Sequence, residues 1–433
     1  MAMDGKELVE KLAKLSQVQS IKDIPHLTHA LFPGTHCPLM GAAMAVGGIK
    51  DSLIVVVGTD ECTYYTKSMT IHSEKFGGID GRCVSVVLDD HDVTFGSAEK
   101  VQEAFKEIIE EYRPQCVFLV TTCVIEIIGD DFDAISEGLS ELYGIPVLPV
   151  HTEHFKCEDH LPGLERTITV CAEMMKSCDS DNSVNLLGQR MGDFATTELY
   201  AMLQKAGVKI GLQLPCGCSV DDIKNAAAAK VNIVVNDIAL PLAQKMQEKF
   251  GIPYVYFNKF VIPEKIYEAY KNLFGYLELE LPGELEGLYQ NAREKIEKNK
   301  GELEGITYIY GNTPYAVFEM NCFLSSLGMV PQVIQTNRYT EADEPYAKEI
   351  LQYTDPYVCK AANIAPLQYV YDVLSPYLYL GHEFGNRLRQ KGIAIVHSDR
   401  ASGMLGFEVT GYLLQQLVKS VREAKEYRKE LGL

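Results

Sequence analysis

A chain of 433 residues exceeds what one hydrophobic core usually organises, and an expectation of roughly 150 residues per domain gives about three. Hydrophobic residues make up 47% and charged residues 23%, with no run of about 18 apolar residues, so the composition excludes both a membrane-spanning helix and a disordered chain. The formal net charge of −19, unbroken by any basic cluster, argues against nucleic acid as a partner and for a protein partner with a basic patch.

The start, MAMDGKELVEKLAKLSQ, carries charges on both sides of its leucines and lacks an apolar signal core. It reads as an amphipathic surface helix, and the protein is expected in the cytoplasm. There the twelve cysteines stay mostly reduced, which favours free thiols or metal ligands over disulfides. Short β-branched runs then alternate with longer helical patterns to the end of the chain, as parallel strands with crossover helices do. The predicted strands are SLIVVVG from Ser52, CVSVVL from Cys83, QCVFLVTTC from Gln115, IPVLPV from Ile145, SVNLLG from Ser183, KIGLQL from Lys209, VNIVV from Val231 and IPYVYF from Ile252. They continue with ITYIYG from Ile306, VPQVIQT from Val330, PYVC from Pro356, YLYLG from Tyr377 and IAIVHSD from Ile393. Polar breaks near Ser177 to Ser183 and Asn299 to Gly305 divide them. The fold class is α/β, with three Rossmann-like, doubly wound parallel-sheet domains around a central cleft. The expected divisions are 1–180, 181–300 and 301–433, the last ending in a terminal helix. The charged helical stretch from Pro282 to Lys300 is expected to bridge the second and third.

In open sheets of this kind ligands gather at the carboxyl ends of strands, so the loops there are the ones to read. Three of them carry cysteine: HCPLMGA around Cys37, GTDECTYYT around Cys62, and VTTCVIEIIGDD around Cys123. A single cysteine is more often a small core residue than a ligand. Three in similar strand-end settings read together as one metal site, and thiolates converging there suit an iron-sulfur cluster. Gly41 and Gly58 would let the backbone approach inorganic sulfide, or serve as ordinary turn glycines. Glu126, Asp130 and Asp131 read equally as site residues and as charges at helix starts.

These three motifs together resemble the nitrogenase component 1 superfamily, which includes nitrogenase subunits, their cofactor-assembly scaffolds and nitrogenase-like reductases. The stretch from Thr121 to Asp131 is the most specific element, and the likeness runs on to HSDRASGMLGFEVTGYLL near the end. The resemblance implies that Cys37, Cys62 and Cys123 ligate a cluster, a cubane or a larger P-cluster-like group, at an interface with a homologous subunit. It implies a homodimer or heterotetramer, and electrons from a separate ATP-dependent iron-sulfur reductase. The chain departs from the family's molybdenum-iron enzymes in two places. Asn236 stands where they hold their cofactor with cysteine, and SGMLGFE from Ser402 lacks their histidine. A nitrogen-fixing site is therefore not expected; a tetrapyrrole or an organosulfur substrate is.

Other loops offer chemistry. LPCGCSVDD places Cys216 and Cys218 at one strand end, with Gly217 between them, as candidate ligands of a second, larger cluster or as two inert buried thiols. HTEHFKCEDH brings His151, His154, Cys157 and His160, spaced for one helix face, as cleft contacts in preference to a zinc site. His382 in GHEFGNR and His397 in IVHSD follow strands and are candidate catalytic proton donors. GNTPY from Gly311 and TNRYTEADE from Thr336 are further rim loops. The expected function is the catalytic subunit of a nitrogenase-like reductase; the alternative is a scaffold that assembles a nitrogenase-type iron-sulfur cofactor and passes it on.

Overall fold

A strand buried on both faces needs helices above and below it, and right-handed crossovers supply them in parallel sheets. The computed structural model describes residues 4–27, 36–71, 82–157, 159–190, 192–311, 313, 315–360 and 364–433. In it Ser52–Gly58, Cys116–Thr121, Val184–Gln189 and Val231–Val234 are buried at every position. Each strand predicted from the sequence is present. The segments at 28–35, just before the first cysteine loop, and at 72–81 lie outside the described residues.

The first sheet runs Cys83–Val87, Ser52–Gly58, Cys116–Thr121, Val147–Val150, all parallel. Pro149 is tolerated because its strand lies at the edge, where no ladder partner needs its missing N–H. The middle sheet runs Tyr254–Tyr256, Val231–Val234, Val184–Gln189, Ile210–Pro215, also parallel. The third runs Tyr357–Cys359, Val330–Gln335, Thr307–Tyr310, Leu378–Leu380, Ala394–Val396, with Ala13–Lys14 added antiparallel on Tyr357–Cys359. In each sheet the strand order reverses once. The reversals fall between Ser52–Gly58 and Cys116–Thr121, between Val184–Gln189 and Val231–Val234, and between Thr307–Tyr310 and Leu378–Leu380. There the crossover helices diverge to opposite faces and leave a crevice at the carboxyl ends.

The N-terminal segment departs from the expected grouping of 1–180. The expected helix is interrupted into Gly5–Glu10 and a single turn at Leu15–Gln17, and Gly5–Glu10 packs on the helix Ile364–Leu374 of the third sheet. Leu8, Leu12 and Leu27 are buried in one cluster with Val370 and Tyr371, so the apolar face of this segment closes the third core, not the first. The bridging helix is observed as Leu285–Leu303: Leu285 and Ala292 join the middle core and Leu303 the third. No helix among the described residues is long and apolar enough to cross a membrane.

The units are joined by packing. Ile49–Lys50 pairs in parallel with Cys218–Ser219, and Val46, Phe118, Leu187, Leu212 and Leu242 form one core across the first two sheets. Between the middle and third sheets the half-buried Glu198 carboxylate accepts from Phe407 N and from Tyr270 OH, both at 3.0 Å. Gly406 sits over it at φ +119°, where an added Cβ would come within 2.3 Å of the carboxylate oxygen. Both the left-handed backbone and the close approach require glycine here. Replacing Gly406 with alanine is expected to destabilise the chain by about 2 kcal/mol. A lowered urea midpoint checks this; an unchanged midpoint would show that Glu198 moves aside without cost.

Candidate functional site

The cysteine loops are short because their strands feed helices almost directly. Ser52–Gly58 passes through Thr59 into the helix Asp60–Ile71, with Cys62 its third residue. Cys116–Thr121 passes through Thr122 into Cys123–Ile128, with Cys123 its first residue. Cys37 is the residue before Pro38–Gly47, whose first position is a proline that needs no N–H partner. All three thiols are half-buried.

Cys62 and Cys123, just past the two strands flanking the first reversal point, lie close enough for Cys62 to bear on the Cys123 thiol. Burial raises the Cys123 pKa most, the adjoining Cys62 raises it further, and the N–H groups of Cys123 and Val124 pull it back. Cys37 is near enough to Tyr65, one turn beyond Cys62, for a thiolate there to raise the phenol's pKa, after burial itself. Tyr65 OH lies 2.7 Å from His36 Nδ1. The fold thus brings the loops of Cys37, Cys62 and Cys123 to one rim. Among the described residues no three His, Cys, Asp or Glu side chains lie close enough to hold a single metal ion. A polynuclear cluster spaces its thiolates more widely than one ion does. Beside Cys123, Thr122 Oγ1 is buried without a hydrogen-bond partner.

The neighbouring residues prove to be scaffolding. An added Cβ on Gly58 would lie 2.1 Å from Thr122 Oγ1, and one on Gly41 would lie 1.9 Å from His160 O, so both glycines admit protein rather than sulfide. Glu126 staples loops together, accepting from Thr121 Oγ1 at 2.7 Å and from Glu153 N at 2.7 Å. Asp130 accepts from Ser97 N and Oγ, at 2.7 and 2.6 Å, and Asp131 caps the helix Phe132–Tyr143.

The second cysteine pair does not converge. Cys218 lies in the core between the first two sheets, 2% exposed, its thiol pushed up to about 12 by burial and then by Asp222 and Cys216. Cys216 turns the other way and donates to Arg190 O at 3.2 Å. Gly217, at φ +85°, makes that divergence possible. The histidine-rich loop also disperses, since it is a single turn at His154–Lys156 and not a helix. His151 pairs with Asp133 at 3.2 Å, His154 stacks on Phe155, and Cys157 turns toward Thr152 O and Arg166.

His160 lies 6.4 Å from His36 between ring centroids. Burial, then Arg190, lower its pKa to about 4, which keeps the ring neutral. His382 and His397 follow the third-sheet strands Leu378–Leu380 and Ala394–Val396 and are exposed; His382 Nε2 lies 3.3 Å from Asp399.

At the carboxyl ends of the middle sheet the sequence reading named Cys216 but missed Arg190, Asp237 and Lys259. Arg190 follows Val184–Gln189, Cys216 follows Ile210–Pro215, Asp237 lies just past Val231–Val234, and Lys259 just past Tyr254–Tyr256. Lys259 is only 5% exposed, and burial, then Arg190, push its pKa down to about 8, with Asp237 and Cys216 opposing. Asn236 caps its own turn, accepting from Ile238 N at 3.2 Å. The missed signal was a basic residue following closely on a β-branched run, in VNLLGQR and in IPYVYFNK.

Comparison with known proteins follows the same lines. The family model described as nitrogenase component 1 type oxidoreductase matches residues 37–422. A nitrogenase iron-molybdenum cofactor biosynthesis protein NifE from Clostridium pasteurianum is 31% identical over 51% of this chain and 49% of its own length. The NifE of Rippkaea orientalis is 25% identical over 73% of this chain and 69% of its own. The nitrogenase molybdenum-iron protein alpha chain of Methanosarcina barkeri is 25% identical over 68% of this chain and 58% of its own. The chain therefore spans about half to two thirds of the length of these relatives. The solved structure of nitrogenase Cp1 at pH 6.5 superposes with a TM-score of 0.77 over 92% of this chain and 94% of that one, at 15% identity. That likeness concerns the fold.

The depressed Lys259 pKa has a consequence for stability. Below about pH 8 the ammonium is charged in folded and unfolded chains alike, and its burial cost is constant. Between about 8 and the unfolded value of 10.5 the unfolded chain binds the extra proton, so stability from this group rises with pH. Comparing the wild type with Lys259→Met by urea unfolding at pH 7.5 and 10 should show the variant's advantage shrinking by on the order of 2 to 3 kcal/mol. A pH-independent difference would refute the assignment.

Proposed function

Because the chain belongs to the nitrogenase component 1 type oxidoreductases, we propose that it is an iron-sulfur subunit of a nitrogenase-like reductase, with Cys37, Cys62 and Cys123 as its cluster ligands. The observation that carries this reading is the placing of Cys62 and Cys123 at the starts of the two helices that leave the first reversal point, near enough for one to act on the other, with the Cys37 loop beside them. Two thiols placed this close favour exchange of a proton for a cation, and N–H groups at the start of Cys123–Ile128 favour the Cys123 thiolate that remains. The unpartnered Thr122 hydroxyl supplies a donor for a sulfur acceptor. When bound, the cluster supplies low-potential electron transfer, and a separate ATP-dependent iron-sulfur reductase is its source in this proposal.

A homologous subunit is the proposed neighbour at this rim. Three thiolates leave a cubane one ligand short, which a second chain can provide. Large apolar side chains are exposed around them, among acidic ones such as Asp60 and Glu61: Tyr64 on the Cys62 helix is 72% exposed, and Ile127 on the Cys123 helix 70%. Phe95, on a helix packed against Cys123–Ile128, is 76% exposed, and Phe155, across a depression from Ile127, 72%. Such side chains clustered at one edge favour burial against a partner. His382, held by Asp399, and His397 are the proposed proton donors on the third rim. With Cys218 committed to the core, the paired-thiol case for a second cluster loses its support. The proposal therefore places the substrate, a tetrapyrrole or an organosulfur compound, directly in the cleft.

A second reading, a scaffold that assembles an iron-sulfur cofactor, is favoured by the biosynthetic names of the NifE relatives. Iron and acid-labile sulfide assays on anaerobically prepared protein test both. The wild type is expected to hold a cluster, and Cys62→Ser and Cys123→Ser to lose nearly all of it while Cys218→Ala keeps it; equal iron in all four would sink the assignment. Transfer of that iron to an acceptor protein would favour the scaffold, and retention through ATP-driven turnover the reductase. Separately, Ile127→Asp should weaken subunit association roughly tenfold or more in sedimentation experiments. An unchanged association constant would move the interface elsewhere.

A further inference from the structure

We infer that the carboxyl ends of the middle sheet form a binding site for a small, multiply charged oxyanion, carboxylate or phosphate, gripped between the Arg190 guanidinium and the Lys259 ammonium. The inference goes beyond the iron-sulfur reading and does not depend on it. Buried cations in folded proteins are normally paired, since desolvation costs more than an isolated charge recovers. Neither of these is. Among the described residues no carboxylate lies within ion-pair distance of Lys259, which is 5% exposed, and none pairs with Arg190, whose Nε is buried with no hydrogen-bond partner.

The nearest acids are committed elsewhere. Asp237, half exposed at the rim, pairs at 3.4 Å with Arg338, a third cation that reaches across from the end of the third sheet. Asp159 accepts from Leu161 N at 2.9 Å. Within a chain of net charge −19, this leaves a local excess of positive charge in a place where it is expensive. Asp237 and Cys216 offset only part of that cost, and an anionic ligand would offset the rest.

The geometry fits capture. Arg190 and Asp237 stand on the two sides of the middle sheet's reversal point, where open α/β sheets leave a crevice. The loop after Arg190 is fixed by Gly192, at φ +78°, whose added Cβ would lie 2.8 Å from Gly403 Cα in the last turn of the third unit. Arg190 itself remains partly exposed, so solvent and ligand have access. A guanidinium presents a planar fork of donors that matches carboxylate and phosphate oxygens, while an ammonium adds a point charge without fixed geometry. His160, neutral and half-buried nearby, contributes a ring N–H without adding charge.

Isothermal titration of the purified full chain with two probes, succinate and inorganic pyrophosphate, at matched ionic strength, tests this. Saturable binding of either probe is expected, weakened roughly tenfold or more in Arg190→Gln and in Lys259→Met. Succinate alone binding assigns a carboxylate ligand, and pyrophosphate alone a phosphorylated one. Lys259→Met should also melt higher than the wild type without ligand, so a folding defect cannot mimic its loss of binding. Cys62→Ser should bind the probes like the wild type, which separates this site from the iron site. Binding of neither probe, or binding equal in wild type and both variants, would overturn the inference.

Discussion

Parallel strands buried on both faces have no side chain to spare for chemistry along their length; they can present it only where they end. That constraint organises this molecule. Val55 has Val84 on one side and Leu119 on the other, and helices cover both faces of the sheet they share. The chain therefore emerges from the core at Gly58 and at Thr121, and within a few residues each strand has delivered a cysteine. The reversal of strand order between those two strands is what brings Cys62 against Cys123. The middle sheet repeats the device with Arg190 and Asp237, and the third with the loops after Tyr310 and Leu380.

The strands were legible because apolar, β-branched runs of four to seven residues bounded by turn residues have few other solutions. Ser52–Gly58 is continuously apolar and mostly β-branched after its first residue, and too short for a buried helix. The short pairings Ile49–Lys50 with Cys218–Ser219 and Ala13–Lys14 with Tyr357–Cys359 were not legible, since two residues carry no periodicity. These small pairings decided large questions. The first turned Cys218 into the core and broke the apparent C-x-C site, and the second drew the N-terminal segment onto the third sheet.

Single-residue roles were legible unevenly, for the same reason. The cysteine at a strand end announced its loop, but whether its neighbours served a ligand or the fold depended on contacts far away in sequence. Gly58 and Gly41 looked like room for inorganic sulfide; their space is taken by Thr122 and by the His160 backbone. Glu126, in the most diagnostic motif of the chain, spends its carboxylate on Thr121 and Glu153. Arg190 and Lys259 passed unnoticed because a lone basic residue after a strand is ordinary, and only the absence, among the described residues, of a carboxylate within ion-pair distance makes it unusual.

The two rims are also neighbours. Tyr65 lies beside Cys37 and within 2.7 Å of His36, and His36 lies 6.4 Å, ring to ring, from His160, whose pKa is set by burial and by Arg190. A change of charge at either end is thus felt along a path of titratable groups with few intervening atoms. A neutral His160 lets the cationic middle rim approach the thiol rim without a third positive charge between them. Were it protonated, it would stand near Arg190, His36 and Arg338, with Asp159, which accepts from Leu161 N, the described acid that offsets it most. The fold thus keeps the junction uncharged by burying it, and the charges on either side are left to act on whatever binds at each rim.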